Sequence, residues 1–125
     1  MNGLGDNEMS MLDERNIDLF ISYSRSNLDF VRRLAEALAL EDKEPWFDQR
    51  VEPLYGLPAG SPWWQEIKEG IRSAENFVFI VSEKSVESPF CHAEIAYALE
   101  QGKRIIPVFF CHPEAVNKKI DSRPR

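Results

Sequence analysis

Phe77-Val78-Phe79-Ile80-Val81 is an uninterrupted apolar run of aromatic and β-branched residues. A strand that alternates apolar and polar positions has one wet face, whereas a strand that is apolar throughout is covered on both, as at the centre of a parallel sheet. The run therefore predicts a sheet with helices packed on each side.

The flanking segments supply those helices and the remaining strands. After the run, Ser88 and Pro89 carry the N-cap and first-turn signature of a helix. Cys91, Ile95, Ala98 and Leu99 are its predicted buried stripe, and Gly102 ends it. Ile105 to Phe110 reads as the next strand. Before the run, Ser61 and Pro62 open a helix that continues through Arg72, with Trp64, Ile67 and Ile71 on one side. Gln49 to Gly60, with two prolines and two glycines and no steady period, reads as a long surface loop. Glu44 to Asp48 is a short strand, placed near an edge because Pro45 cannot donate to a ladder. Ile17-Asp18-Leu19-Phe20-Ile21 is the first strand and ends at Ser22. Ser26, with Asp29 three residues on, has the form of a capping pair for a helix whose apolar face is Leu28, Val31, Leu34, Ala35 and Leu38.

Strands that alternate with helices through short connections specify an α/β fold with right-handed crossovers, here a flavodoxin-like three-layer domain with a central parallel sheet. Residues 1–15 read as a flexible leader, 16–112 as the domain and 113–125 as a polar tail. No fifth strand follows the fourth, which predicts an apolar edge and a chain that lacks the C-terminal strand and helix of a complete domain.

Composition narrows the function classes. The 125 residues are 43% hydrophobic and 29% charged, the profile of one soluble globular domain. With a net charge of −6 and its Lys and Arg residues scattered, the chain offers no basic surface for nucleic acid or anionic membrane. The leader carries acidic residues where a secretion signal needs basic ones, and no apolar stretch approaches the roughly 20 residues that span a bilayer. A cytoplasmic location is expected. Cys91 and Cys111 fall on different elements and form no CxxC pair, so reduced thiols are expected. Each precedes a histidine, His92 and His112, but adjacent residues point in different directions, and no metal site is expected.

Open α/β sheets bind ligands beyond the carboxyl ends of their strands where the winding reverses, here between the first and third strands. Ser22, Tyr23, Ser24 and Arg25 arrive there from the first strand, and Ser82 from the third. On the last helix Glu94 falls about 85° from the centre of the Cys91, Ile95, Ala98 and Leu99 stripe at 100° per residue. Two readings stand: a carboxylate held partly out of water and facing the crevice, or a solvated glutamate favoured early in a helix by the macrodipole. Helix geometry alone favours the second. The chain has no GxGxxG, no GxxxxGK[ST] and no GxSxG, which sets aside a dinucleotide fold, a P-loop and a hydrolase elbow. A phosphoacceptor receiver would need acidic residues where Ser22, Tyr23 and Ser24 stand.

Asp18-Leu19-Phe20-Ile21-Ser22-Tyr23-Ser24 resembles the opening strand of TIR (Toll/interleukin-1 receptor) domains. Trp46-Phe47-Asp48, the loop ending Leu57-Pro58-Ala59-Gly60, and Trp63 and Ile67 resemble that family's second strand, BB loop and following helix. Ser85 through Ser88-Pro89-Phe90-Cys91-His92-Ala93-Glu94 is similar to its S-x-W-C-x-x-E helix start, with Phe90 in place of the usual Trp, and Ile105-Ile106-Pro107-Val108 to its fourth strand. The blocks occur in order over roughly residues 16 to 111.

The resemblance implies a bacterial-type, NAD-cleaving TIR domain that hydrolyses NAD to nicotinamide and ADP-ribose or a cyclic isomer in signalling or defence. NAD is then a substrate, with no other cofactor and no metal. Glu94 aligns with the family's essential glutamate, which reverses the preference left by helix geometry. By the same resemblance, Ser24 and Arg25 line the ribose and phosphate region, Phe90 offers a ring to nicotinamide, and Trp63 stacks on adenine, while Ser22 and Ser82, delivered to the switch point by their strands, complete the expected substrate-binding set. The loop residues Val51, Leu54, Tyr55, Gly56, Leu57, Pro58 and Gly60 are expected to meet another TIR domain, making the active form a homo-oligomer. A non-catalytic adaptor that binds other TIR domains is the alternative. A nucleoside-processing enzyme with a covalent glutamate is a third reading.

Overall fold

A computed structural model describes residues 17–50 and 60–110 of the chain. Four strands, β1 (Leu19–Ser22), β2 (Pro45–Trp46), β3 (Asn76–Val81) and β4 (Arg104–Phe109), alternate with three helices, α1 (Leu28–Leu40), α2 (Pro62–Ser73) and α3 (Pro89–Glu100). The strands form one parallel sheet in the order β2-β1-β3-β4. The central pair is in register from Leu19 opposite Asn76 to Ser22 opposite Phe79. This is the expected α/β architecture, with the winding reversed between β1 and β3.

Strand alternation divides the core into two layers. Phe20 and Phe77 pack with Ile67, Ile71 and Ala98 on the side of α2 and α3. Ile21, Val78 and Ile80 pack with Val31 and Tyr23 on the side of α1, where Leu28, Leu34 and Leu38 add partly buried cover. The apolar run of β3 thus divides its side chains between two cores. Phe20 stacks between Trp46 at 5.2 Å and Phe77 at 5.4 Å, which ties β2, β1 and β3 together across one face.

The expected N-caps of α2 and α3 are present: Ser61 Oγ accepts from the Trp64 N–H at 3.1 Å, and Ser88 Oγ from the Cys91 N–H at 3.2 Å. The Ser26 and Asp29 pair does not form. The chain instead makes a 3₁₀ turn over Arg25–Asn27 capped by Ser24, and α1 starts at Leu28 behind Asn27, which makes no side-chain cap bond. β2 is shorter than the expected Glu44 to Asp48. Its ladder covers Pro45 and Trp46, with the Glu44 carbonyl accepting from the Asp18 N–H at 2.8 Å. On α3 the buried positions are Cys91, Glu94 and Ala98, while Leu99 is 60% exposed. Among the described residues β4 pairs with β3 alone, and its side chains are partly or fully exposed. The leader, Cys111 and the tail lie outside the described residues.

α2 approaches the sheet at Gly70. A Cβ there would sit 3.0 Å from Trp46 Cε3 and 3.3 Å from Phe20 Cδ2, on rings that are themselves stacked. Gly70→Ala gains helix propensity of about 1 kcal/mol, but overpacking against two constrained rings costs about 1–3 kcal/mol. A net loss of about 1 kcal/mol is expected in urea unfolding, and an increase in stability would show that the rings yield freely.

Candidate functional site

β1 delivers Ser22 to the carboxyl end of the sheet with 1% of its surface exposed. α3 starts beside it, fixed by Ser88 at the cap and Pro89 in the first turn. Glu94 is the sixth residue of that helix and is 4% exposed. The Ser22 hydroxyl donates to Glu94 Oε1 at 2.7 Å. The solvated reading of Glu94 is therefore overturned. The expected stripe was drawn through Leu99, which the fold leaves in solvent. Centred on Cys91, Glu94 and Ala98, the buried arc puts Glu94 only about 30° off axis at 100° per residue.

A second cluster forms around Asp48, which is 7% exposed and lies just past β2. Its carboxylate accepts from Arg50 Nε at 2.8 Å, Arg25 Nη2 at 3.4 Å and the Trp63 indole N–H. Its backbone carbonyl accepts from the Tyr23 hydroxyl at 2.6 Å. Arg25 also donates from Nε to the Arg50 carbonyl at 2.8 Å and lies 4.6 Å over the Tyr23 ring. Arg25 is thus engaged with Asp48 and Arg50 rather than solvated. Trp63 tilts against Phe90, with centroids 5.9 Å apart. Phe90 precedes Glu94 by four residues, one turn back on the same side of α3.

Tyr23 links the two clusters. Burial pushes its phenol up to about 12, against a lowering influence from Arg25, and the carboxylates of Asp48 and Glu94 add to the rise. Ser82 stands apart from Glu94: its hydroxyl donates to Asn27 Oδ1 at 2.8 Å, at the rim of a cavity of about 200 Å³ with Asn27, Glu83, Lys84 and Phe110. A larger hollow of about 420 Å³, lined by Asp18, Ala39, Asp42, Lys43 and Glu44, lies at the opposite, amino end of the sheet. Open α/β sheets do not place ligands at that end. Of the loop residues singled out, Gly60 is described and adopts φ +78°, a conformation that favours glycine. Val51, Leu54, Tyr55, Gly56, Leu57 and Pro58 lie outside the described residues.

Sequence reasoning singled out Ser22, Ser24, Arg25, Trp63, Ser82, Phe90 and Glu94, of which Ser82 bonds to Asn27 instead. Ser22 is joined to Glu94, Arg25 and Trp63 meet at Asp48, and Phe90 touches Trp63. Ser24 instead caps the following 3₁₀ turn. Asp48 and Arg50 were missed as site residues. A lone carboxylate at a strand end carries no motif of its own, and its donors lie at sequence separations with no period.

A parallel α/β sheet with a buried carboxylate and hydroxyl where its winding reverses defines the class of fold, and comparison with known proteins makes it specific. The family model described as "TIR domain" matches residues 19–123, and the chain belongs to that family. A search of curated proteins found no match. Among solved structures, the TIR domains of the activated Roq1 resistosome, which directly recognises the pathogen effector XopQ, align with a TM-score of 0.63 at 24% identity. That alignment covers 82% of this chain and 63% of the other, so this chain spans less than two thirds of the resistosome chain's length. The TIR domain of the Toll-related receptor TRR-2 from Hydra magnipapillata aligns with a TM-score of 0.62 at 18% identity, over 81% of this chain and 78% of that one. At these identities the likeness is one of fold. Among the described residues no helix is long and apolar enough to cross a membrane.

The state of Tyr23 can be checked through alkaline stability. An unfolded tyrosine loses its proton near pH 10.0, while the folded one keeps it to about 12. Between these values the unfolded chain binds fewer protons, so the stability that Tyr23 contributes is fully present below pH 10.0 and is lost as pH rises through about 12. Urea unfolding across that window is expected to show a smaller fall for Tyr23→Phe than for wild type, and equal falls would refute the raised pKa.

Proposed function

We propose that the domain cleaves NAD between nicotinamide and ribose, giving ADP-ribose or a cyclic isomer, in signalling or defence, and that self-association activates it. The observation that carries this reading is the burial of Glu94 against Ser22 at the switch point of the sheet. In NAD the nicotinamide ring is cationic and bonded through nitrogen to the anomeric carbon. When that bond breaks, its electron pair leaves with the ring, which departs as a neutral base and needs no proton. The developing positive charge then lies on the ribose. A fixed carboxylate nearby stabilises it in a way that water, which must reorient, does not.

In this reading Glu94 is the catalytic residue, and Ser22 holds its carboxylate in one orientation. Ser24 and Arg25 take the ribose and phosphates, with Ser82 farther along the crevice. Phe90 and Trp63 form one aromatic cluster beside Glu94, so a base placed on either meets both. We assign this cluster to the nicotinamide end, which moves Trp63 from the adenine role that the resemblance implied, because it lies against Phe90. Water adds to the anomeric carbon and releases a proton to complete hydrolysis, and an internal hydroxyl in its place gives the cyclic product. Val51, Leu54, Tyr55, Gly56, Leu57, Pro58 and Gly60 are the proposed contact with a second TIR domain. The likeness to TIR domains of an activated resistosome is in keeping with activation by assembly. A non-catalytic adaptor is the second reading, and it draws on Leu99 and Phe109, large apolar side chains that stand in solvent.

Nicotinamide release from NAD by concentrated protein tests the assignment. Glu94→Gln keeps the size and the acceptor oxygen for Ser22 but removes the charge, and a loss of about 10²-fold or more is expected. Ser22→Ala is expected to lose roughly tenfold, the size of one oriented hydrogen bond. Far-UV circular dichroism confirms that each variant is folded. A folded, self-associated wild type that releases no nicotinamide would leave the adaptor.

A further inference from the structure

Trp63 is held from three directions. Its indole N–H is bound by Asp48, its ring tilts against Phe90, and the Arg50 guanidinium lies 5.1 Å from its ring centroid. Arg50 is anchored in turn. Its side chain reaches Asp48 Oδ1 at 2.8 Å and Glu66 Oε1 at 3.1 Å, and its carbonyl accepts from Arg25 Nε at 2.8 Å.

A guanidinium is flat, delocalised and cationic, and an indole face attracts such a group within about 6 Å of its centroid. A pyridinium ring shares all three properties. We propose that Arg50 is an internal competitor, resting on Trp63 where a planar cationic base would bind, and that its displacement admits the base. The identity of the base as nicotinamide rests on the reading above, whereas the competition itself does not.

The contact is of a kind that can be released. Arg50 is 43% exposed and Glu66 50%, so that ion pair is screened by water and the cation–π contact is near the lower end of its range. Asp48 is not stranded when Arg50 swings out, because Arg25 and the Trp63 indole still donate to it. The main-chain bond from Arg25 does not depend on the Arg50 side chain, so the backbone remains tethered.

N-methylnicotinamide, a planar cation without sugar or phosphate, is the probe, and saturable quenching of indole fluorescence is the readout. Arg50→Ala is expected to bind it about three- to tenfold more tightly than wild type, the span of one exposed cation–π contact with a weak ion pair. In Arg50→Ala with Trp63→Phe the saturable component from this indole is expected to vanish, leaving linear quenching of Trp46 and Trp64. Equal or weaker binding to Arg50→Ala overturns the proposal, as does the absence of a saturable component in every protein. Nicotinamide release from NAD, measured on the same preparations, separates the two ideas. Tighter probe binding without NAD cleavage keeps the competitor and rejects the hydrolase, and cleavage without tighter probe binding does the reverse.

Discussion

A carboxylate taken out of water carries a desolvation penalty of several kcal/mol unless fixed polar partners replace the lost hydration. Glu94 is in that position, and the hydroxyl of Ser22 is one of the groups that answers it. The bond ties α3 to the end of β1, so its geometry depends on decisions made elsewhere in the chain. The β1–β3 register places Ser22 opposite Phe79. Ser88 and Pro89 fix where α3 begins, and hence which of its residues turns inward at the sixth position.

Asp48 performs a related task for the neighbouring cluster. One buried carboxylate receives two guanidinium donors and an indole, and its own carbonyl receives the Tyr23 hydroxyl. Those donors come from the segment after β1, from the residues after β2 and from the first turn of α2. The arrangement fixes Trp63 against Phe90, one turn before Glu94. Disturbance at Asp48 therefore has a short physical route to the buried carboxylate: the indole, the phenyl ring and one helical turn. Tyr23, whose phenol senses both Asp48 and Glu94, closes the connection from the other side.

Most of the architecture was legible in the sequence because it rests on local rules. The apolar run of β3, the Ser-Pro starts of α2 and α3, and the alternation of strand with helix each have a period or a cap that a reader can count. The misreadings have separate sources. The stripe on α3 was drawn through Leu99 on the premise that apolar side chains face inward, but that premise runs one way only, and folded surfaces retain many apolar groups. Leaving Leu99 out narrows the angle of Glu94 from the stripe's centre from about 85° to about 67° at 100° per residue, and the fold buries it there. The Ser26 and Asp29 pair had the right residues at the right spacing, yet Ser24 sits two residues earlier and caps a tighter turn first. Asp48 and Arg50 had no local signature, since their roles exist only once β2 and α2 are side by side.

The division of labour between the two carboxylates bears on the chemistry that suits the site. Many glycoside-cleaving sites need a pair, one to stabilise the sugar cation and another to protonate the leaving group. Asp48 is a poor candidate for the second role, because two guanidiniums and an indole N–H already share its oxygens. That leaves Glu94 as the carboxylate at the switch point, where it accepts from the Ser22 hydroxyl. A single carboxylate of this kind is mismatched to a leaving group that must be protonated. It is matched to one that is already cationic and departs neutral, and under the proposed reading that matching favours the pyridinium ring of NAD over an ordinary glycoside.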